Sequence, residues 1–367
     1  MTKNSIKLKN NLIERNILTI LSMNGRAPLS FIKDRIGITK YPTYRRIKQL
    51  EEKYSISYTA EVDTKSLGYM CFLILIRFIK KVPITSDLDK IFQSEPRIQT
   101  AFVLNGGDYH LMLSMFVDSE SEINDIRRKL MKTTLLIDYP AEWFITPFYD
   151  TYGFIPLRPD FIDMIKERSK LKTIGIRPNL TENQSKIIDR EFSVLKELNS
   201  NGTISFSDID KKYGFDRGRS QYSYYKLMQK GILKRVTINM QPEEALYPAI
   251  VFMKIIDYKK FNRHRNYLSN AIIKESGRSM NRYLLVGDIW MPFTAIFIFN
   301  VFGDELDRIT KELSKIKGTE IKAAVISKIL LGSLCCRLFD NSYSIQQSNL
   351  EALDNAVKAE RIDYFSR

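Results

Sequence analysis

Gly37-Ile38-Thr39-Lys40-Tyr41-Pro42-Thr43-Tyr44-Arg45-Arg46-Ile47-Lys48-Gln49-Leu50-Glu51-Glu52-Lys53 is a basic stretch with one apolar seam, and its reading decides the fold. Thr39 is placed to cap a helix. Pro42 then falls in the first turn, where its missing N–H has no intrahelical acceptor to lose. Ile47, Leu50 and Tyr54 recur at three and four residues, which predicts one buried face. Lys40, Tyr41, Thr43, Tyr44, Arg45, Arg46 and Lys48 are the candidate contacts to phosphates and base edges. Taken alone, such a helix is equally well a solvated surface helix, so its neighbours must decide.

Upstream, Pro28-Leu29-Ser30-Phe31-Ile32-Lys33-Asp34-Arg35-Ile36 reads as a short helix whose Leu29, Ile32 and Ile36 repeat at helical spacing, with Gly37 as the turn. Before it, Leu12 to Met23 carries Ile13, Ile17, Ile20 and Leu21 on one face and stops at Asn24-Gly25. Three short helices sharing one small core make a helix-turn-helix.

These residues carry a resemblance. Asn24-Gly25-Arg26, Arg35-Ile36-Gly37-Ile38-Thr39, Arg45 to Glu52, Tyr58-Thr59-Ala60-Glu61-Val62-Asp63 and Leu67-Gly68-Tyr69 resemble the Lrp/AsnC family of prokaryotic transcription regulators in order and spacing. The resemblance implies a winged helix-turn-helix joined by a strand to an effector-binding and assembly domain of ferredoxin-like βαββαβ topology. It also implies double-stranded DNA as partner, a small-molecule effector such as an amino acid, and self-association through the ferredoxin-like domains.

At 367 residues with 44% hydrophobic content, the chain is long enough for several ordinary globular domains. Its net charge of +15 is local. Residues 1–56 hold 12 Lys and Arg against 4 Asp and Glu, and residues 177–238 hold 12 against 7, so the rest of the chain is close to neutral. Two basic blocks suit a polyanion. The longest apolar run, Met70 to Ile76, is a strand's length, and the N-terminus lacks a signal-type apolar core, which predicts a cytoplasmic protein. Cys71, Cys335 and Cys336 lie in apolar, strand-like surroundings, and with only His110 and His264 no metal site or cofactor is expected.

Beyond the first helix-turn-helix, Tyr69 to Lys80 is expected to be a buried strand, followed by a helix from Ser86 and strands at Ile98 to Leu104 and Tyr109 to Val117. A helix over Ser121 to Met131 and a strand within Thr134 to Phe148 complete βαββαβ. Then the pattern returns. Asn24-Gly25 recurs as Asn201-Gly202, Gly37 as Gly214, Tyr69 as Tyr247 and Gly107-Asp108 as Gly287-Asp288, at offsets of 177 to 180 residues, which indicates tandem duplication. The expected class is α+β, with two winged helix-turn-helix domains (1–64 and 180–242) alternating with two ferredoxin-like domains (65–149 and 243–338). A linker (150–179) with one short helix joins the repeats, and a tail (339–367) follows. Each ferredoxin-like unit leaves one sheet face to be covered, by the other unit or by another chain.

The second recognition helix departs from the family. Asp216 is expected to cap it, and Arg217, Arg219, Gln221, Tyr222 and Tyr225 are its candidate contacts, but Arg45-Arg46 is replaced by Tyr222-Ser223 and Lys48 by Tyr225. The turns Gly106-Gly107-Asp108 and Gly287-Asp288 lie where the resemblance places an effector-contacting hairpin, although Gly-Asp is also ordinary turn chemistry. Two rival functions remain open. Siroheme decarboxylases resemble Lrp/AsnC proteins and would be expected to need clustered histidines and arginines; a non-DNA-binding partner of true regulators would account for the altered second helix. No catalytic residues are expected.

Overall fold

The computed structural model describes residues 12–132, 139–147, 150–152, 157–173, 187–240, 247–257, 260, 280–285, 295–301 and 303–332. The first half runs α1 (Leu12–Met23), α2 (Leu29–Ile36), α3 (Lys40–Lys53), β1 (Ser57–Val62), β2 (Met70–Phe78), α4 (Thr85–Gln93), β3 (Ile98–Asn105), β4 (Leu111–Val117), α5 (Glu120–Lys132), β5 (Ala141–Pro147) and β6 (Asp150–Tyr152). After α6 (Pro159–Thr173) the second half runs α7 (Asp189–Ser200), α8 (Phe206–Tyr213), α9 (Arg219–Gln229), β7 (Leu233–Asn239), β8 (Tyr247–Ile255), β9 (Met280–Leu285), β10 (Ala295–Val301), α10 (Glu305–Ser314) and β11 (Thr319–Leu331). The sequence predicts a further helix over Lys259 to Lys274 and an amphipathic run through Leu350, Leu353 and Val357, and apart from Lys260 both lie outside the described residues. The architecture is α+β, helix-turn-helix units with ferredoxin-like units.

Each ferredoxin-like sheet is antiparallel, in the order β5-β2-β4-β3 and β11-β8-β10-β9. The two are one sheet. β11 pairs with β8 over Thr319 to Val325 and then with β3 over Val325 to Leu331, so its second half belongs to the other unit. In the first half, β5 pairs with β2 and β6 pairs with β9. Because β5 and β6 are nearly consecutive in the chain yet stand at opposite ends of the strand order, the nine-stranded sheet must curl until its ends meet.

Strand periodicity then builds three cores, one shared by the two units and one under the helices of each. On β2, Cys71, Leu73 and Leu75 face the interior shared by both units, while Phe72, Ile74, Ile76 and Phe78 pack under α4 and α5. On β8 and β10, Ile250, Phe252, Ile296 and Ile298 meet the shared interior, and Val251, Met253, Phe297 and Phe299 lie under α10. The sheet face that each unit had to cover is therefore covered by the other unit of the same chain.

The segment expected as a linker contains more than a short helix. α6 spans 15 residues, and Phe161, Ile162 and Ile165 are buried in the shared interior, with Tyr69 edge-on to Phe161. Its anchors are two arginines. Arg158 donates to the carbonyls of Phe92 and Gln93 at the end of α4, of Glu95 beyond it and of Ile98 at the start of β3, while Arg168 reaches Asp118 at 3.1 Å and Glu122 at 2.6 Å. Burial alone would raise the Glu122 carboxyl, but the bonds from Arg168 and the Asp118 amide outweigh it and hold the pKa at about 2.

Candidate nucleic-acid interface

The helix-turn-helix units are placed by a ribbon. β1 pairs antiparallel with β7, setting Thr59 opposite Thr237 and Glu61 opposite Arg235, whose side chains meet at 2.6 Å. The strand expected as a wing after each unit thus pairs with its counterpart. Reciprocal bonds fasten each unit to the ribbon: the Thr59 hydroxyl donates to the Asn199 carbonyl and the Thr237 hydroxyl to the Ser22 carbonyl, both at 2.7 Å. Gly25 and Gly202 donate their N–H groups to Val236 and Tyr58 across the same ribbon. This contact explains the recurring Asn-Gly pair, since a Cβ on Gly202 would stand 2.5 Å from Val236 Cγ1 and 3.0 Å from the Thr59 nitrogen.

α3 buries Ile47 and Leu50 as expected and presents Lys40, Tyr41, Tyr44, Arg45 and Lys48 to solvent, Tyr41 being 76% exposed. Arg46 is half-buried and, with Lys33, Asp34, Thr39, Lys40 and Pro42, borders a shallow depression at the start of the helix. Thr43 is a correction. It is fully buried and its hydroxyl donates to the Thr39 carbonyl, so it is not a contact on the outer face. Thr39 occupies the cap position, but its side chain makes no capping bond. Lys48 carries less free charge than expected, because Glu51 accepts from its ammonium at 2.6 Å and raises its pKa.

α9 is built differently. It begins at Arg219, and Asp216 is not its cap: Asp210 on α8 accepts the N–H groups of Gly218 and Ser220, each at 2.8 Å. Burial pushes the Asp210 carboxyl up, yet the bonds from Ser220 and Gly218 outweigh it and hold it below the ordinary value. Arg217, Arg219 and Tyr222 are exposed, Gln221 and Tyr225 are half-buried, and Tyr225 packs on the shared interior against Tyr224. Arg219 lies 3.7 Å from Asp216. Tyr224, in the place of Ile47, is core.

The hairpin turn Gly106-Gly107-Asp108 sits at the junction of the units, where Asp108 pairs with Lys322 of β11 at 2.6 Å in an exposed contact. Gly107, at φ +79°, lies against the Ala323 carbonyl. Gly287 and Asp288 lie outside the described residues. His110 accepts the Phe78 N–H at Nδ1, a strand-bridging role; His264 is outside the described residues. Asp210, Lys33, Arg26 and Lys322 escaped the sequence reading. Extending the 177-residue offset to Lys33 and Asp210 would have shown their opposite charge, whereas nothing local marks Arg26 as a residue that crosses between units.

The HTH-type transcriptional regulator LrpA of Pyrococcus horikoshii is 30% identical over 119 residues, 31% of this chain and 79% of the relative. The chain belongs to the Lrp/AsnC family. FL11 of Pyrococcus abyssi, also an HTH-type transcriptional regulator, is 30% identical over 116 residues, 30% of this chain and 74% of the relative. No protein-family model matches the chain. Over 94% of its length the chain is similar in fold to the siroheme decarboxylase NirDL, covering 99% of that chain at 12% identity and a TM-score of 0.56. That likeness is one of fold. No described helix is long and apolar enough to cross a membrane.

Proposed function

We propose that this Lrp/AsnC chain is a DNA-binding transcription regulator whose main reader is α3. The observation that carries the reading is the outer face of α3, where Lys40, Tyr41, Tyr44, Arg45 and Lys48 stand in solvent above a core of Ile47 and Leu50. The helix is backed by that core, and Lys40, Tyr41, Tyr44 and Arg45 are exposed to meet phosphates and base edges in a major groove, while Lys48 is held by Glu51. Affinity should fall with ionic strength by about 0.9 log unit per log unit of salt for each phosphate neutralised. A mobility-shift titration at two salt concentrations tests this, and a salt-independent affinity would refute it.

The repeated element order and the offset of 177 to 180 residues support tandem duplication, with the chain divided near residues 64, 149, 179, 242 and 338. One chain then has the architecture of a dimer. The exposed Asp108 and Lys322 pair beside Gly106 and Gly107 supports an effector seat for an amino acid, whose ammonium and carboxylate could exchange for the two partners. Thermal-shift titration with amino acids, repeated on Lys322→Ala, tests that part. The decarboxylase reading has the fold likeness as its support, and a visible absorption band in the purified protein would favour it.

A further inference from the structure

The two halves match at an offset of 177 residues through α2 and α8 and onward into the third helices. This sets Lys33 against Asp210, Lys40 against Arg217, Arg45 against Tyr222, Arg46 against Ser223 and Lys48 against Tyr225. The first pair reverses charge at the point where the turn meets the recognition helix. In the first unit Lys33, ion-paired with Asp34 at 2.9 Å, borders the open start of α3 and leaves its backbone donors untouched by a buried carboxylate. In the second, the Asp210 carboxylate, 5% exposed, already takes the Gly218 and Ser220 amides. Those are the backbone donors that a helix start offers to an anion, and the fixed carboxylate would repel a phosphate brought to them.

Burial separates the units in the same direction. The core of the first helix-turn-helix is a cluster of its own, Ile17, Leu18, Leu21, Ile32, Ile47 and Leu50, completed by Ile238 and Met240 of the ribbon. The second has no separate core. Phe192, Leu195, Leu198, Ile209 and Leu227 are continuous with the interior between the sheets, and α7 is buried from Glu191 to Leu195 and again from Glu197 to Asn199. α6 holds α7 from behind, with Asp163 accepting from Lys196 at 2.7 Å and the Leu157 carbonyl accepting from Asn199. One unit has its own core, and the other shares the core of the body.

We infer that one chain presents a single DNA-reading surface, the outer face of α3, that the second helix-turn-helix is the scaffold that aims it, and that a two-fold operator is therefore occupied by two chains. The inference rests on the DNA-binding reading of α3. It departs from the dimer-like architecture, in which one chain would cover two half-sites.

The test uses the full chain and a duplex recovered from a random pool by the wild-type protein. Lys40→Ala with Arg45→Ala should weaken binding at least 30-fold, and Arg217→Ala with Arg219→Ala less than threefold. All four residues are exposed, so melting curves should be unchanged. Hydroxyl-radical footprinting combined with sedimentation should give about one helical turn, roughly 10 base pairs, protected per bound chain. Comparable losses from the two double variants, or two turns protected by one chain, would overturn the inference while leaving DNA binding intact. A wild-type protein that recovers no duplex from the pool would overturn the DNA-binding reading itself, and the inference with it.

Discussion

The first and second helix-turn-helix units share element order, length and a common ribbon, yet they solve opposite problems. In the first, α3 buries its inner seam while Lys40, Tyr41, Tyr44 and Arg45 stand exposed on its outer face and Glu51 partners the exposed Lys48. In the second, the equivalent positions have gone to packing and internal hydrogen bonds: Ser223 accepts from Arg190, Tyr225 packs inward, and Asp210 closes the helix start. The contrast teaches that two units of one fold both keep a buried seam, because burial is what makes the helices, while their outer faces can differ.

Acidification should have the largest effect. Glu122 is held at about 2 against an ordinary 4.5, so its ion pair with Arg168 stabilises fully above 4.5 and is lost as pH falls towards 2, a change of about 3 kcal/mol. Because α6 buttresses only the second unit among the described residues, hydrogen exchange should rise first in α6 and α7; earlier loss of α1 to α3 would contradict the asymmetry.

Gly202→Ala comes next. Its Cβ would press on the Thr59 nitrogen and the Tyr58 carbonyl carbon, both 3.0 Å away, as well as on Val236. A loss of about 2 to 3 kcal/mol is expected by chemical denaturation. Gly25→Ala meets the side chains of Tyr58 at 2.9 Å and Val236 at 3.1 Å, which can yield, so about 1 kcal/mol should suffice there. Equal losses would mean that the ribbon is gripped symmetrically.

Arg26→Met should follow, at about 2 kcal/mol. Arg26 lies over the Phe206 ring and donates to the carbonyls of Gly202 at 2.7 Å and Ile204 at 2.9 Å, a tie from the first unit to the second. Thr203, its counterpart at the same offset, is exposed and makes no such crossing, so Thr203→Ala should be near neutral in the same assay.

On DNA, Arg45→Ala should cost about tenfold in affinity and relax base preference, since a bidentate arginine contact contributes about 1 to 3 kcal/mol. Tyr222→Ala should change binding less than threefold. Lys48→Ala is expected to give the smallest effect, under threefold with little change in salt slope, because its charge is already partnered. A Lys48→Ala loss as large as that of Arg45→Ala would show that Glu51 releases it on binding.

Much of this molecule was settled by sequence alone. Periodicity of three and four set the helices of the first helix-turn-helix, and the length and unbroken apolar character of Met70 to Ile76 set β2 as a buried strand. These signals are legible because each depends on contacts within one element or its immediate neighbour. Tertiary structure decided the rest. That β11 serves both units, that β1 and β7 pair, and that the second unit merges with the body all depend on partners roughly 140 to 220 residues away in sequence, which no local pattern records. The same holds for charge. Thr43 and Asp210 look like an outward hydroxyl and a solvated acid, and only the packed neighbours turn one into a buried helix bond and the other into a cap.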